Sequence, residues 1–149
     1  MARVTRTRTV EAPVGDVWKL LSDPYNLPRW WPRTGRVENV SGDGGRRTRW
    51  TQVLETAEGR GVRADFRCVS AAEGERYVWE QELEGTPFER HLKASRVEVR
   101  LRERGDGTEV ALAEEQSLKG MSKLGSPLMR RARRAMLDEA LEGIERALG

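Results

Sequence analysis

Apolar and polar positions follow two different periods along this chain, and the switches between them mark its elements. From Arg3 to Glu11, Val4, Arg6, Arg8 and Val10 alternate with Thr5, Thr7 and Thr9, the residue types and period of a strand. Val14, Val17, Trp18 and Leu21 then recur at three- and four-residue spacing, the mark of one buried helical face. Pro13 suits the first turn of that helix, where a missing N–H is not needed. Asp23, standing before Pro24, is biased out of the helical region and stops it. Leu27 to Trp31 offers one more helical turn, closed by Pro32. The stretch Val10 to Pro32 holds three of the five tryptophans, Trp18, Trp30 and Trp31. Such a concentration of large apolar side chains in a polar chain marks core or pocket rim, with one of Trp30 and Trp31 inward and the other at the rim.

Period two then returns. Arg36 to Ser41 is a short strand, and Arg47 to Thr56 puts Trp50, Gln52 and Leu54 on one face. Val62, Ala64, Phe66 and Cys68 alternate with charged neighbours. So do Tyr77, Trp79, Gln81 and Leu83, then Ser95, Val97, Val99 and Leu101, and on the last strand Val110, Leu112, Glu114, Gln116 and Leu118. Glycine-rich turns separate these runs at 42–45, 58–61, 73–75, 85–87 and 105–107. Leu128 to Leu148 is the one long helix, with Leu137, Ala140, Leu141, Ile144, Ala147 and Leu148 as its core stripe. In its first half Met129, Ala132 and Met136 are expected to face inward, opposite Arg130 and Arg134. Arg134–Asp138 and Glu142–Arg146 have the spacing of helical ion pairs.

The order predicts a single α+β domain over residues 1–149: a strand, two short helices, about six further antiparallel strands, and a long C-terminal helix. A sheet that is polar on one face must bury the other, and only the terminal helix is long enough to cover it. A strongly curved sheet of about seven strands wrapped on one helix leaves space that side chains do not fill. Met129, Ala132 and Met136 are small or pliable, which favours a cavity at that end.

Composition narrows the function. Hydrophobic residues make up 37% and charged residues 34%, so the core must be economical. The net charge is only +3, which gives little support to nucleic-acid binding. The run Arg130, Arg131, Arg133, Arg134 spreads around a helix without interleaved aromatics and reads as a solvated face. Cys68 is the only cysteine, so there is no disulfide framework or cysteine metal cluster. His91 is the only histidine and reads as solvated or at a cavity mouth. The N-terminus has no apolar signal segment, and no run reaches the roughly 20 apolar residues of a membrane span. These features predict a cytoplasmic protein without stable membrane insertion, with a homodimer possible and no cofactor, since no phosphate loop or metal-ligand spacing occurs.

The candidate chemistry lies on the inward strand faces. Gln52, Gln81, Glu114 and Gln116 share faces with Trp50, Trp79, Leu112 and Leu118, and a buried unpaired amide costs roughly 1–3 kcal/mol. A mostly apolar cavity with a few polar anchors is the usual make-up of a small-molecule site. Trp50, Phe66, Trp79, Met129 and Met136 would form its walls beside Trp31 and Ala132. Gln52, Gln81 and Gln116 would orient the ligand, and the loop Gly120 to Pro127, with Met121, would be a lid. Glu114 is the one candidate catalytic carboxylate: buried, its pKa rises and it can serve as a general acid or base. Arg49 or Arg96 is the expected partner, and Glu115 should point outward.

The order of elements, with APVGDVWKLLSDPYNLPRWWP after the first strand and the Gly107-Thr108 turn before the last, resembles the START-like helix-grip (SRPBCC) superfamily. That superfamily includes polyketide cyclases/dehydrases and lipid-transfer proteins, and the resemblance spans essentially the whole chain. It implies binding of a lipid- or polyketide-like small molecule between sheet and C-terminal helix. Cyclase, aromatase or dehydrase chemistry and a chaperone-activator-like interaction module are the alternatives within it, because one fold hosts many functions.

Overall fold

The period-two segments pair into one sheet. A computed structural model describes residues 2–55, 61–119 and 127–149. Strand β1 (Ala2–Val10) leads into α1 (Val14–Leu21), a 3-10 turn (Pro24–Asn26) and α2 (Leu27–Trp30). Six strands follow: β2 (Thr34–Ser41), β3 (Arg49–Glu55), β4 (Gly61–Ala72), β5 (Arg76–Glu82), β6 (Leu92–Arg104) and β7 (Gly107–Leu118). The long helix α3 (Pro127–Leu148) comes last. All seven strands are antiparallel, in the order β1-β7-β6-β5-β4-β3-β2. The expected turn at Glu58 to Arg60, and the loop from Gly120 to Ser126 with Met121, lie outside the described residues.

Local chemistry sets the boundaries. Pro13 caps α1 and accepts from the N–H groups of Asp16 and Val17. Ser22 donates its hydroxyl back to Trp18, and Asp23 accepts from the Tyr25 N–H, so the chain turns at Pro24. A two-residue turn joins β6 to β7, with Gly105 at φ 61°, where a side chain would be strained. Register shifts in β2, β4 and β6 bend the sheet around its inner face.

That inner face carries the core. Val10, Val99, Val110, Leu112, Tyr77 and Trp79 pack against Val17, Leu20 and Leu21 of α1, Trp30 of α2, and Leu137, Ala140, Leu141 and Ile144 of α3. Gly143 lets α3 touch the chain at Trp30: a Cβ there would stand 2.6 Å from the Trp30 carbonyl oxygen. The helix is also tied to the edge strand, by Arg6 to Asp138 at 2.8 Å and Arg8 to Glu145 at 2.5 Å. Asp138 therefore meets β1, not Arg134 of its own helix.

No described helix packs on the outer face, and arginine does the covering. Glu98, nearly buried there, accepts from Arg3 at 3.0 Å and from Arg76, and lies 3.3 Å from Arg100. Glu80 holds Arg96 at 2.5 Å and Arg67 at 3.4 Å. Arginine stems lie along apolar surface while their heads stay wet, which accounts for buried Val78 and Ala113 on this face. Burial alone would push the Glu98 carboxyl up, but Arg76, Arg3 and Arg100 outweigh it and hold it down at about 2.

Two outcomes follow from this packing. Gly143→Ala should destabilise the protein by about 1–3 kcal/mol in urea unfolding, because overpacking against backbone outweighs the gain in helix propensity. Glu98→Gln should cost about 1–2 kcal/mol at neutral pH, a buried-pair loss discounted for the solvent around its arginines. A depressed carboxylate contributes above its unfolded pKa, so the Glu98→Gln deficit should shrink as pH falls from 4.5 to about 2.

Candidate functional site

Strand register places two of the inward polar residues, Gln116 and Gln81, along one cross-strand row. Gln116 of β7 faces Ser95 of β6, Gln81 of β5 faces Phe66 of β4, and Phe66 faces Trp50 of β3. Between Ser95 and Gln81 the ladder is missing: β5–β6 pairing ends at Glu80 and Arg96, and the strands part. A cleft of about 620 Å³ opens there. Its lining includes Gln81 and Ser95 from the inner row and Arg67, Glu80 and Arg96 from the outer face, so the gap joins the two faces.

One row deeper, Glu114 faces Val97, which faces Trp79, which faces Cys68. Trp79 is the hub of an aromatic wall. Its ring meets Trp31 at 5.4 Å, Trp30 at 6.0 Å and Trp50 at 6.3 Å, all edge to face, and Phe66 stacks on Trp50 at 6.2 Å. Trp30 is buried and Trp31 half-buried, yet both touch Trp79.

α3 supplies the group that the sequence reading missed. Arg133 is 8% exposed and donates Nη2 to Gln116 Oε1, while its Nε lies 3.6 Å from Glu114 Oε1. Helix geometry explains the choice of residue. Arg133 continues the Leu137, Ala140, Leu141, Ile144 stripe one turn back, whereas Ala132 falls about 130° from its centre. Ala132 is accordingly exposed, and its expected place on the inner face is corrected to Arg133. Met129 and Met136 are half-buried along one edge of the stripe, on the side toward Ala132. Arg130, Arg131 and Arg134 are exposed, as a solvated face requires. The signal for Arg133 was present in the four-residue step to Leu137.

The expected partners of Glu114 are also corrected. Arg49 and Arg96 sit on the outer face, beside inward Trp50 and Val97, where Arg49 meets Glu82 at 2.8 Å and Arg96 meets Glu80. Strand alternation forbids them the inside. Glu115 points outward to Arg3. Burial raises the Glu114 carboxyl above the ordinary glutamate value, and Arg133 opposes that shift. Gln52 lies one row beyond Trp50, fully buried, with its Oε1 accepting from the Thr34 hydroxyl at 3.2 Å. His91 is exposed at the end of a 3-10 turn. Cys68 is buried with its thiol on the Ser70 carbonyl, and burial pushes its pKa up, which makes it an inert thiol. Among the described residues no group of three metal-ligating side chains converges, and no helix is long and apolar enough to cross a membrane.

The unpartnered polar atoms of this interior share one character. Trp50 Nε1, Gln52 Nε2, Gln81 Nε2, Trp30 Nε1 and Arg133 Nη1 are buried N–H donors without an acceptor among the described residues. The buried Tyr77 hydroxyl, another donor, stands against the Cys68 thiol. Glu82 Oε1, equally buried, has Arg49. The inner face is thus an aromatic wall with a surplus of donors, plus one carboxyl of raised pKa.

A family model described as "Polyketide cyclase / dehydrase and lipid transport" matches residues 1–149. The chain is similar to a solved START superfamily protein from Mycobacterium smegmatis, at 15% identity and TM-score 0.77, over 98% of this chain and 96% of that one. It is similar to the di-domain ARO/CYC BexL from the BE-7585A biosynthetic pathway, at 20% identity and TM-score 0.76, over 98% of this chain and 46% of that one. TTHA0849 from Thermus thermophilus matches at 22% identity and TM-score 0.72, over 99% and 97%. These likenesses show the START-like fold. No curated protein matches by sequence.

The Glu114 carboxyl can be checked directly. A group whose folded pKa is raised contributes fully below its ordinary value of 4.5 and loses that contribution as pH rises through the folded pKa. The unfolding free energy of the wild type relative to Glu114→Gln should therefore fall as pH increases above 4.5. Arg133→Met should move the Glu114 titration further up, read by carboxyl NMR.

Proposed function

We propose a ligand-binding function for this chain, which belongs to the polyketide cyclase / dehydrase and lipid transport family. The ligand is an amphipathic small molecule, lipid- or polyketide-like, with an apolar or aromatic body and several hydrogen-bond acceptors. It lies between the sheet and α3. The observation that carries this reading is the donor surplus: Trp50 Nε1, Gln52 Nε2, Gln81 Nε2 and Arg133 Nη1 are buried without acceptors among the described residues. Leaving a buried donor unsatisfied costs about 1–3 kcal/mol. A ligand bearing carbonyl or hydroxyl oxygens recovers that cost while Trp79, Trp50 and Phe66 take its body. Half-buried Trp31 serves as rim.

A second reading is enzymatic. Glu114 is a buried carboxyl of raised pKa beside a guanidinium, an arrangement suited to moving a proton on a bound polycarbonyl chain. Glu114→Gln separates the two: a carrier keeps its affinity within a few fold, and an enzyme loses turnover.

The test of the first reading is native mass spectrometry of protein from its own host, followed by denaturing extraction and tryptophan-fluorescence titration with the extracted compound. The expected species is oxygen-bearing and quenches Trp50 and Trp79. Gln81→Leu should weaken it about tenfold, the loss of one hydrogen bond of about 1.4 kcal/mol. Empty protein whose fluorescence ignores a panel of fatty acids, fatty alcohols and polyphenols would overturn the proposal.

A further inference from the structure

We propose that Arg133 is the receptor for an acid group on the ligand, so that the molecule held inside the grip is an amphipathic carboxylic acid whose carboxylate accepts from Nη1 of Arg133. This rests on the ligand-binding reading above and names the chemical class of the ligand.

The argument begins with the cost of the residue. Arg133 occupies a position in the leucine and alanine stripe of α3 and is 8% exposed. A guanidinium does not lose its proton in a protein, and a buried charge without a full complement of partners is expensive. Its five N–H donors are unevenly served. Nη2 donates to Gln116 Oε1, a neutral amide that satisfies a hydrogen bond but cancels no charge. Nε faces Glu114 Oε1 at 3.6 Å, close enough to attract and too long for a hydrogen bond. Nη1 is buried and has no hydrogen-bond partner among the described residues.

Glu114 is an incomplete counterion for a second reason: burial raises its carboxyl pKa and so favours the uncharged form. The rest of the neighbourhood adds donors. Gln81 Nε2, in the same cross-strand row as Gln116, is also buried and unpartnered. Glu80, Glu82 and Glu115 project from the outer face and are paired there with arginines, so they do not reach inward. An unfilled guanidinium N–H on α3 and a free amide N–H on the facing sheet, in the row of Gln116, complement an oxyanion. They offer a ligand ammonium only Glu114 and give an alcohol no charge to meet. Charge-assisted hydrogen bonds are about twice as strong as neutral ones, and Arg favours carboxylates by geometry. The aromatic wall of Trp50, Phe66 and Trp79 lies along the same row and the next, which fits an acid with an apolar tail.

The test compares decanoate with 1-decanol, two probes with the same tail, by tryptophan fluorescence and calorimetry on the full chain at neutral pH. Decanoate should bind at least about tenfold more tightly than decanol, and it alone should shift the Arg133 Nε–Hε resonance. In Arg133→Met with Glu114→Gln, which leaves no buried charge, the two probes should agree within about threefold. Equal affinities in the wild type, an unshifted Arg133 resonance at saturation, or a preference for decanoate that survives in the double variant would each overturn the acid assignment. Equally tight binding of both probes would sink this assignment alone. Binding of neither would sink the ligand-binding reading with it.

Discussion

A seven-stranded sheet has two faces, and this chain has one long helix with which to cover them. Everything else in the fold answers to that shortage. α3 packs on β1, β7 and α2, close enough at Gly143 to touch the Trp30 backbone. The inner face of β3, β4 and β5 is left to the aromatic corner, where Trp30 and Trp31 lean on Trp79. The outer face receives no described helix. There the arginines stop being a matter of composition: Arg3, Arg76 and Arg100 converge on Glu98, and Arg67 and Arg96 on Glu80. Their stems are long enough to act as a thin second layer over residues such as Val78.

The same shortage shapes the inside. A single helix laid on a curved sheet meets it well along one line, where Leu137, Leu141 and Ile144 are fully buried, and less well at its N-terminal end. Polar residues concentrate at that end: Gln116, Glu114, Gln81 and, from the helix, Arg133. A buried ion pair is weak evidence for stability, because replacing it with apolar residues is often neutral or favourable. An arginine in the leucine stripe, with one nitrogen unserved and a carboxyl beside it held toward neutrality, is therefore poorly explained as a fastening. On the proposed reading it is half of an interaction that an acidic ligand would complete.

Much of this was legible in the sequence. Period-two alternation identified the inner faces of β3 to β7, because a strand residue has only two directions in which to point. Pro13, Asp23 and Pro24 marked the helical corner, and Leu137 to Leu148 the covering stripe. The failures came where a choice depended on angle or on a distant partner. Ala132 and Arg133 are adjacent and differ by about 100° around the helix. Residue type argued for burying the alanine, while the spacing to Leu137 argued for the arginine. Arg96 was expected to reach Glu114, although alternation with Val97 already sent it to the other face. Asp138 has a suitable arginine four residues before it and instead binds Arg6, far away in sequence. Composition shows that such charges exist; only the register of β1 against α3 shows which two meet.

The break between β5 and β6 ties the two faces together. Backbone pairing stops at Glu80 and Arg96, and those same two side chains form an ion pair at 2.5 Å, with Arg67 from β4 on the other side of Glu80. Charge thus takes over the joining of β5 and β6 at the point where their hydrogen bonds end. Immediately beyond it, Gln81 and Ser95 line both the cleft and the inner row. A sheet fully zipped here would need no such ions and would leave Gln81 no gap to line. The outer arginine network and the inner donor row are two consequences of one opening in the ladder. The outer charges hold its edges, and the inner donors stand where an acceptor-bearing molecule would meet the sheet.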